Sequence, residues 1–468
     1  MGALAIAVTP FFFWGFVAAS NGIFIPFCKS HFELSQFESQ LVGSAFYGAY
    51  FVSSLILYSI ASATGRDLFG RFGYKRMIVY GLGISAVGAL LIVAAANSAS
   101  FPFILLAYFV VALGFGVQQT GAQPFMVGLG PIESGAHRLS FAGGVNSFGT
   151  VVGPIVLSFV LFGTPKGTPD VASIGSIRML YCVVAGIFLL VAAFLFFSSL
   201  PEQKDDTPIE RGWGALQKPQ VLLAALGIFF YVGVEVTVDN NLGALLKTPG
   251  YLTPEGLAEH QISKYISLYW GSLMIGRWAG AVAVFNLTGV KRTLATIVAP
   301  FIAFALVLGV NRFYGNDVSD LIAYAGCVAV LVAAFMFGQE RPIKTLLAVS
   351  TLATISASIG VATTGIVSIY AFMATGLFCS VMWPCIFALG VTGVGPLKGQ
   401  ASSALVMMIL GGAVIPPIQG AVGDALGDMR LSYLVAVACF ATLIGLTLLI
   451  RRSLKAQNID LDQAIEAH

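Results

Sequence analysis

Two carboxylates stand four residues apart in the stretch YVGVEVTVDNN (231–241), Glu235 and Asp239, with no other charge between Lys218 and Lys247. An ionised side chain inside hydrocarbon is costly unless it is paired, hydrated or put to use. Residues four apart share one face of a helix, so the two acids can act together. Two chemistries are open. Mutual repulsion would let the pair hold a single proton between them. Alternatively, both stay ionised around a sodium ion, with Thr237, Asn240 or a carbonyl near Gly233 adding oxygen ligands where the helix loosens. Counted from Leu222 at about 1.5 Å per residue, Glu235 lies ~20 Å into such a helix and Asp239 ~26 Å. The first is then near or just beyond mid-membrane and the second closer to the outer boundary.

The elements that must carry these acids are membrane spans. The chain has 468 residues, 57% of them hydrophobic and only 10% charged, with 37 Phe and 53 Gly, which excludes a soluble average domain. Apolar runs long enough to cross about 30 Å of hydrocarbon as helices fall near 5–27, 38–61, 76–97, 101–129, 139–163, 176–200, 220–246, 264–286, 293–311, 320–338, 344–362, 366–393, 400–422 and 431–450. With both termini in the cytosol, cytosolic segments hold 16 Lys and Arg against 7 outside, with Arg277 inside a span. That bias sets the expected topology. The first apolar run has no basic leader and no small-residue cleavage site, so it is expected to be a retained helix.

The longest cytosolic connection, PEQKDDTPIERGWGALQKP (201–219), follows six spans and is bracketed by prolines, as a linker between bundles would be. The expected organisation is an N-terminal bundle over 1–200, this linker, a C-terminal bundle over 220–452 and a tail over 453–468. GLGPIESGAHRLSFAGGVNSFGTVVGP (128–154) is echoed by GVGPLKGQASSALVMMILGGAVIPP (393–417), each running from a span end through a short loop into a Gly-rich span. A parallel repeat of this kind predicts two bundles with a site between them near the midplane.

Several motifs occur in order along both halves: FFFWGFVAASNGIFIP (11–26), SAFYGAYF (44–51), GRFGYKR (70–76), GFGVQQTGAQPF (114–125), GLGP…RLSFAGGVNSFG (128–149), FFYVGVEV (229–236), GRWAG (276–280) and PCIFALGVTGVG (384–395). Together they resemble the fucose permease branch of the major facilitator superfamily. The resemblance implies an all-α polytopic fold of two pseudo-symmetric six-helix bundles. It also implies monosaccharide transport, commonly by proton symport, through alternating access. The chain departs from the family in several places. Two additional spans, at about 291–343, are expected as peripheral packing helices that preserve the topology. Gly22 follows Asn21 where the family has Asp, and Gln119 stands where it has Glu, so both acids that handle protons in the fucose permease are replaced. Gly70 replaces the Asp of the loop motif, and Gly143 replaces a sugar-binding Gln of the fifth span. With those acids gone, sodium is favoured slightly over the proton as coupling ion.

A hexose presents hydroxyls around its rim and apolar C–H faces, so the sugar implied by the resemblance calls for amides and flat aromatic surfaces. Asn21, Gln119, Gln123 and Asn146 supply amides, and Trp270 and Trp383 supply surfaces, with Trp14 a further aromatic on the first span. Gln118 and Gln119 are adjacent and cannot share a helix face, whereas Gln119 and Gln123 can. One of the adjacent pair is expected to face the cavity and the other a neighbouring helix. The cation site would use Glu235, Asp239 and Thr237.

Other classes lack their signatures. A net charge of +3 with scattered basic residues excludes a nucleic-acid patch. The six cysteines contain no CxxC pair, and the four histidines lie in loops, span ends or the tail. No Walker or HExxH pattern occurs, so an integral membrane enzyme is not indicated. The expected function is import of a monosaccharide by cation symport at the inner (plasma) membrane, by a monomer with no cofactor beyond a sodium ion as coupling ion. An uncoupled facilitator is the alternative, followed by a sugar sensor that does not transport.

Overall fold

The computed structural model describes residues 2–18, 24, 28, 31–33, 36–97, 100–131, 134–162, 173–285, 287–338 and 341–459. Helices α1 (Thr9–Ala18), α2 (Gln36–Thr64), α3 (Tyr74–Ala95), α4 (Phe101–Val127), α5 (Gly135–Phe162) and α6 (Ile174–Phe197) make up the first half of the chain. The second half begins with α7 (Pro219–Lys247), α8 (Glu259–Ala281), α9 (Gly289–Phe313), α10 (Ala325–Gly338) and α11 (Pro342–Ala362). It continues through α12 (Gly365–Cys379), α13 (Met382–Gly390), α14 (Lys398–Met407), α15 (Gly411–Leu426) and α16 (Leu434–Ala456). Among the described residues, twelve segments are long and apolar enough to cross a membrane. Two further expected spans coincide with Gly2–Ala18, apolar but shorter, and with α8, which is more polar. The fourteen expected spans therefore each have a helix.

Local chemistry starts and bends these helices. Ser100 caps α4, its hydroxyl accepting from the Phe103 N–H, with Pro102 in the first turn where no donor is needed. Ser173 caps α6 in the same way. Inside a bilayer, association relies on close packing more than on hydrophobic expulsion, so small residues line the tightest contacts. Gly114 of α4 lies against Ser85 and Gly81 of α3, where a methyl group would collide with both. The span over 365–390 is almost wholly buried and is interrupted at Ser380 and Val381, between α12 and α13. Helix α7, in contrast, is unbroken from Pro219 to Lys247, so the loosening expected near Gly233 does not occur there. Gly233 instead packs against Ile415 and the Gly411 carbonyl of α15, a close helix contact.

The chain forms two compact units. One comprises residues 1–129, 145–218 and 394–410; the other comprises 130–144, 219–393 and 411–468. Within the first unit, α14 is held at the α2–α3 loop and by α4. Ser402 Oγ donates to the Thr120 carbonyl at 2.7 Å, and Gln400 Nε2 donates to Ser62 Oγ at 2.9 Å. The Asp67 side chain accepts from the backbone N–H groups of Phe69, Gly70 and Gly399, and any side chain at Gly399 would run into that carboxylate. Within the second unit, the additional helices are bound tightly to α8. Asn311 Nδ2 donates to Ser267 Oγ at 2.9 Å, Lys264 Nζ pairs with Asp320 at 2.7 Å, and Ser272 and Tyr324 share a hydrogen bond of 2.9 Å. Gly271 leaves the space that Val307 fills.

Candidate functional site

In the second unit, α7 carries Glu235 into the interior, where it is 9% exposed. Its Oε1 accepts a hydrogen bond of 2.7 Å from the Tyr231 hydroxyl, one turn earlier on the same helix. Across from it, α8 brings the Arg277 guanidinium to 3.8 Å. The Arg277 Nε also donates to the Ser380 carbonyl at the break between α12 and α13. Helix α8 adds a further tie, the Tyr269 hydroxyl donating to the Glu235 carbonyl at 2.7 Å. The Arg277 side chain lies against Gly143, where a Cβ atom would come within 3.1 Å of its Cδ. The absence of a side chain at 143 is thus what leaves room for the guanidinium.

Asp239 does not share this arrangement. Its carboxylate accepts from the Trp270 indole, while Oδ1 is buried without a hydrogen-bond partner. Thr237 Oγ1 is also buried and unpartnered. Two residues along a helix place side chains about 200° apart, so Thr237 and Asp239 do not converge. The three residues expected around one ion thus have different hydrogen-bond partners: Glu235 has Tyr231 with Arg277 close by, Asp239 has Trp270, and Thr237 Oγ1 has none.

Of the aromatic candidates, Trp270 is 38% exposed. Trp383 stacks on Phe387 with centroids 6.0 Å apart and an interplanar angle of 22°, and its ring lies 6.3 Å from that of Tyr231. The Trp383 Nε1 is buried with no acceptor. An amide-like donor left unsatisfied in a low-dielectric interior costs about 1–3 kcal/mol.

In the first unit, the adjacent glutamines have separate tasks. Gln118 is fully buried, accepting from the Trp14 indole at 2.6 Å and donating to Ser85 Oγ at 2.9 Å. Gln119 is half-buried and donates to the Tyr50 hydroxyl at 3.1 Å. Gln123 is buried one turn further on, and Asn146 of α5 donates to the Phe11 carbonyl at 2.9 Å. Trp14, at 3% exposure, is an internal residue of the α1–α4 contact. Asn21 lies outside the described residues. Arg277, Tyr231 and Tyr50 were missed as site residues. Arg277 carried a signal all the same, as the one basic residue within a span, because such a charge demands a partner.

Residues 6–404 match the family description Major Facilitator Superfamily. The chain belongs to that superfamily. It is 31% identical to a glucose/galactose transporter of Brucella abortus biovar 1 (strain 9-941) over 442 residues, covering 94% of this chain and 92% of the relative. It is 27% identical to the L-fucose-proton symporter of Escherichia coli (strain K12) over 463 residues, covering 94% and 91%. The crystal structure of the transporter FucP in the outward conformation superposes with a TM-score of 0.73 at 24% identity, covering 96% of this chain and 98% of that one. This chain is thus a fucose permease-like member of the superfamily, with the superfamily's fold.

Proposed function

We propose that this member of the superfamily imports a hexose-type monosaccharide by cation symport, with N- and C-termini in the cytosol and the chain in the inner (plasma) membrane. The observation that carries the sugar reading is the buried, acceptorless indole N–H of Trp383, set beside Tyr231 and stacked on Phe387. A sugar hydroxyl is an acceptor for that donor, and the ring below offers a face for sugar C–H groups. The glucose/galactose transporter and the fucose symporter among the relatives support a monosaccharide as the class. The half-buried amides of Gln119 and Asn146, together with Gln123 and Asn21, are assigned to the sugar as well.

The cation is assigned to Asp239. Glu235 is compensated by Arg277, whereas Asp239 keeps one buried oxygen without a donor. A cation that neutralises this carboxylate removes the penalty for enclosing it in a dry interior, which couples ion binding to closure. Sodium is placed first because the two acids that handle protons in the fucose permease are replaced by Gly22 and Gln119. The proton is the second reading, favoured by the single carboxylate, since one oxygen is enough to hold it.

Uptake of labelled glucose, galactose, mannose, fructose, fucose and N-acetylglucosamine into proteoliposomes under an imposed sodium or proton gradient tests both assignments. Accumulation above equilibrium driven by one gradient, and lost in Asp239→Asn, is the expected result. Equilibration without accumulation, unchanged in that variant, would make the chain a facilitator.

A further inference from the structure

The linker ahead of Pro219 is bound along the first unit over most of its length. Asp205, Ile209 and Gly212 donate their backbone N–H groups to the carbonyls of Gly70 at 3.2 Å, Gly65 at 2.9 Å and Ser62 at 2.9 Å. In return the Tyr74 N–H donates to the Gln203 carbonyl at 3.3 Å, and Gln203 Nε2 donates to the Phe125 carbonyl at 3.2 Å. The linker is thus a strap running antiparallel to the loop between α2 and α3. That loop is shaped to receive it. A Cβ atom at Gly70 would stand 2.2 Å from the Asp205 carbonyl oxygen, and one at Gly65 would stand 2.8 Å from that of Ile209. The space a side chain at position 70 would take is filled by linker backbone.

The far end of the strap reaches α14. Gln400, fully buried on that helix, accepts from the Ala215 N–H at 2.9 Å and donates to the Gly212 carbonyl at 3.2 Å and to Ser62 Oγ at 2.9 Å. One side chain therefore joins α14, the strap and the end of α2. Helix α14 is flanked by pliable chain, with Gly393 and Gly395 at φ +70° and +53° before it and the 3-10 stretch Met408–Leu410 after it. Residues 394–410 are a piece of the second half of the chain carried by the first unit. Within the strap only Ile209 and Ala215 are buried. Backbone bonds so little covered open locally at a lower free energy than those of a packed span.

We propose that the linker is a latch. Seated on the α2–α3 loop, it holds α14 in the first unit through Gln400, and α14 is freed when the strap peels away. The linker then decides which unit residues 394–410 follow.

Hydrogen exchange of the full-length protein in nanodiscs, with neither sugar nor cation gradient, tests the latch apart from the transport reading. In wild type the amides of Asp205, Ile209, Gly212 and Ala215 should exchange slowly, although most of the strap is exposed. Ile209→Ala removes the buried anchor without touching Gln400. It should speed exchange of the strap and of α14 together, by roughly fivefold or more. Gln400→Leu removes three hydrogen bonds and should free α14 to a similar extent. Asp206→Ala, at an exposed position of the same strap, is the control and should change neither. Faster exchange of the strap in Ile209→Ala with α14 unchanged would overturn the latch, as would an equal acceleration in Asp206→Ala. Fast exchange of the Asp205, Ile209 and Gly212 amides in wild type would make the linker a slack tether and overturn it too.

Discussion

Arg277 changes what Glu235 can do. A carboxylate 3.8 Å from a guanidinium and hydrogen-bonded by Tyr231 has both its charge and one oxygen accounted for, which suits holding geometry better than exchanging ions. Removing one partner of a buried pair leaves the other charge uncompensated. Arg277→Ala should therefore destabilise the protein by about 3–5 kcal/mol, and Glu235→Gln in the same chain should recover much of the loss. Thermal unfolding in detergent, run as a double-mutant cycle, measures both. The acids were legible in the sequence because spacing along one helix is a local property. Their partners were not, since Arg277 is 42 residues from Glu235 and the pairing depends on how α7 meets α8. For the same reason Gly143 read only as a missing glutamine, although its lack of a side chain makes space for Arg277.

At the scale of elements, the helices were largely legible, because runs of apolar residues bounded by Pro, Ser and Gly leave few alternatives in a bilayer. The interruption was misplaced. Glycine at 233 suggested a loosened α7, but there it permits a tight contact with α15, and the break falls at Ser380 and Val381, one turn before Pro384, whose missing N–H leaves the Ser380 carbonyl without its helical donor. The loop between α2 and α3 also differs from expectation. Gly70 lacks the family's acid, yet Asp67, three residues earlier, receives the Gly399 N–H. Burial pushes the Asp67 carboxyl up to about 6, with Asp205 adding to the rise and the N–H donors of Phe69, Gly70 and Gly399 opposing it. A folded-state pKa above the unfolded 3.8 means the folded chain holds the extra proton. This residue's contribution is fully present below the unfolded value and is lost as pH rises through about 6. Asp67→Asn keeps the cap and abolishes the titration. The stability of the variant relative to wild type should rise from near zero around pH 4 to at most about 3 kcal/mol around pH 7.5, measured by thermal unfolding at each pH.

At the scale of the whole molecule, composition and the distribution of basic residues lead to fourteen expected spans and an expected orientation. The orientation makes a direct claim about the additional pair. The connection after α9 should face outside and the one before it the cytosol. Cysteine placed at Asp317, which is exposed, should react with an impermeant maleimide in intact cells above the wild-type background. Cysteine at Lys291 should react only after permeabilisation. Labelling of both from one side would remove α9 as a crossing.

The division of the chain at Leu410 and Gly411 falls on a short 3-10 stretch, Met408–Leu410, between α14 and α15. One apparent membrane helix is therefore two pieces of different allegiance, the first packed in one unit and the second in the other. Amide protection follows the cooperative unit to which a residue belongs, not the helix on which it is drawn. Hydrogen exchange should accordingly group α14 with α2 and α4, and α15 with α7, with a step in protection across Met408–Leu410. A single uniform rate from Lys398 to Leu426 would show that the span opens as one rod.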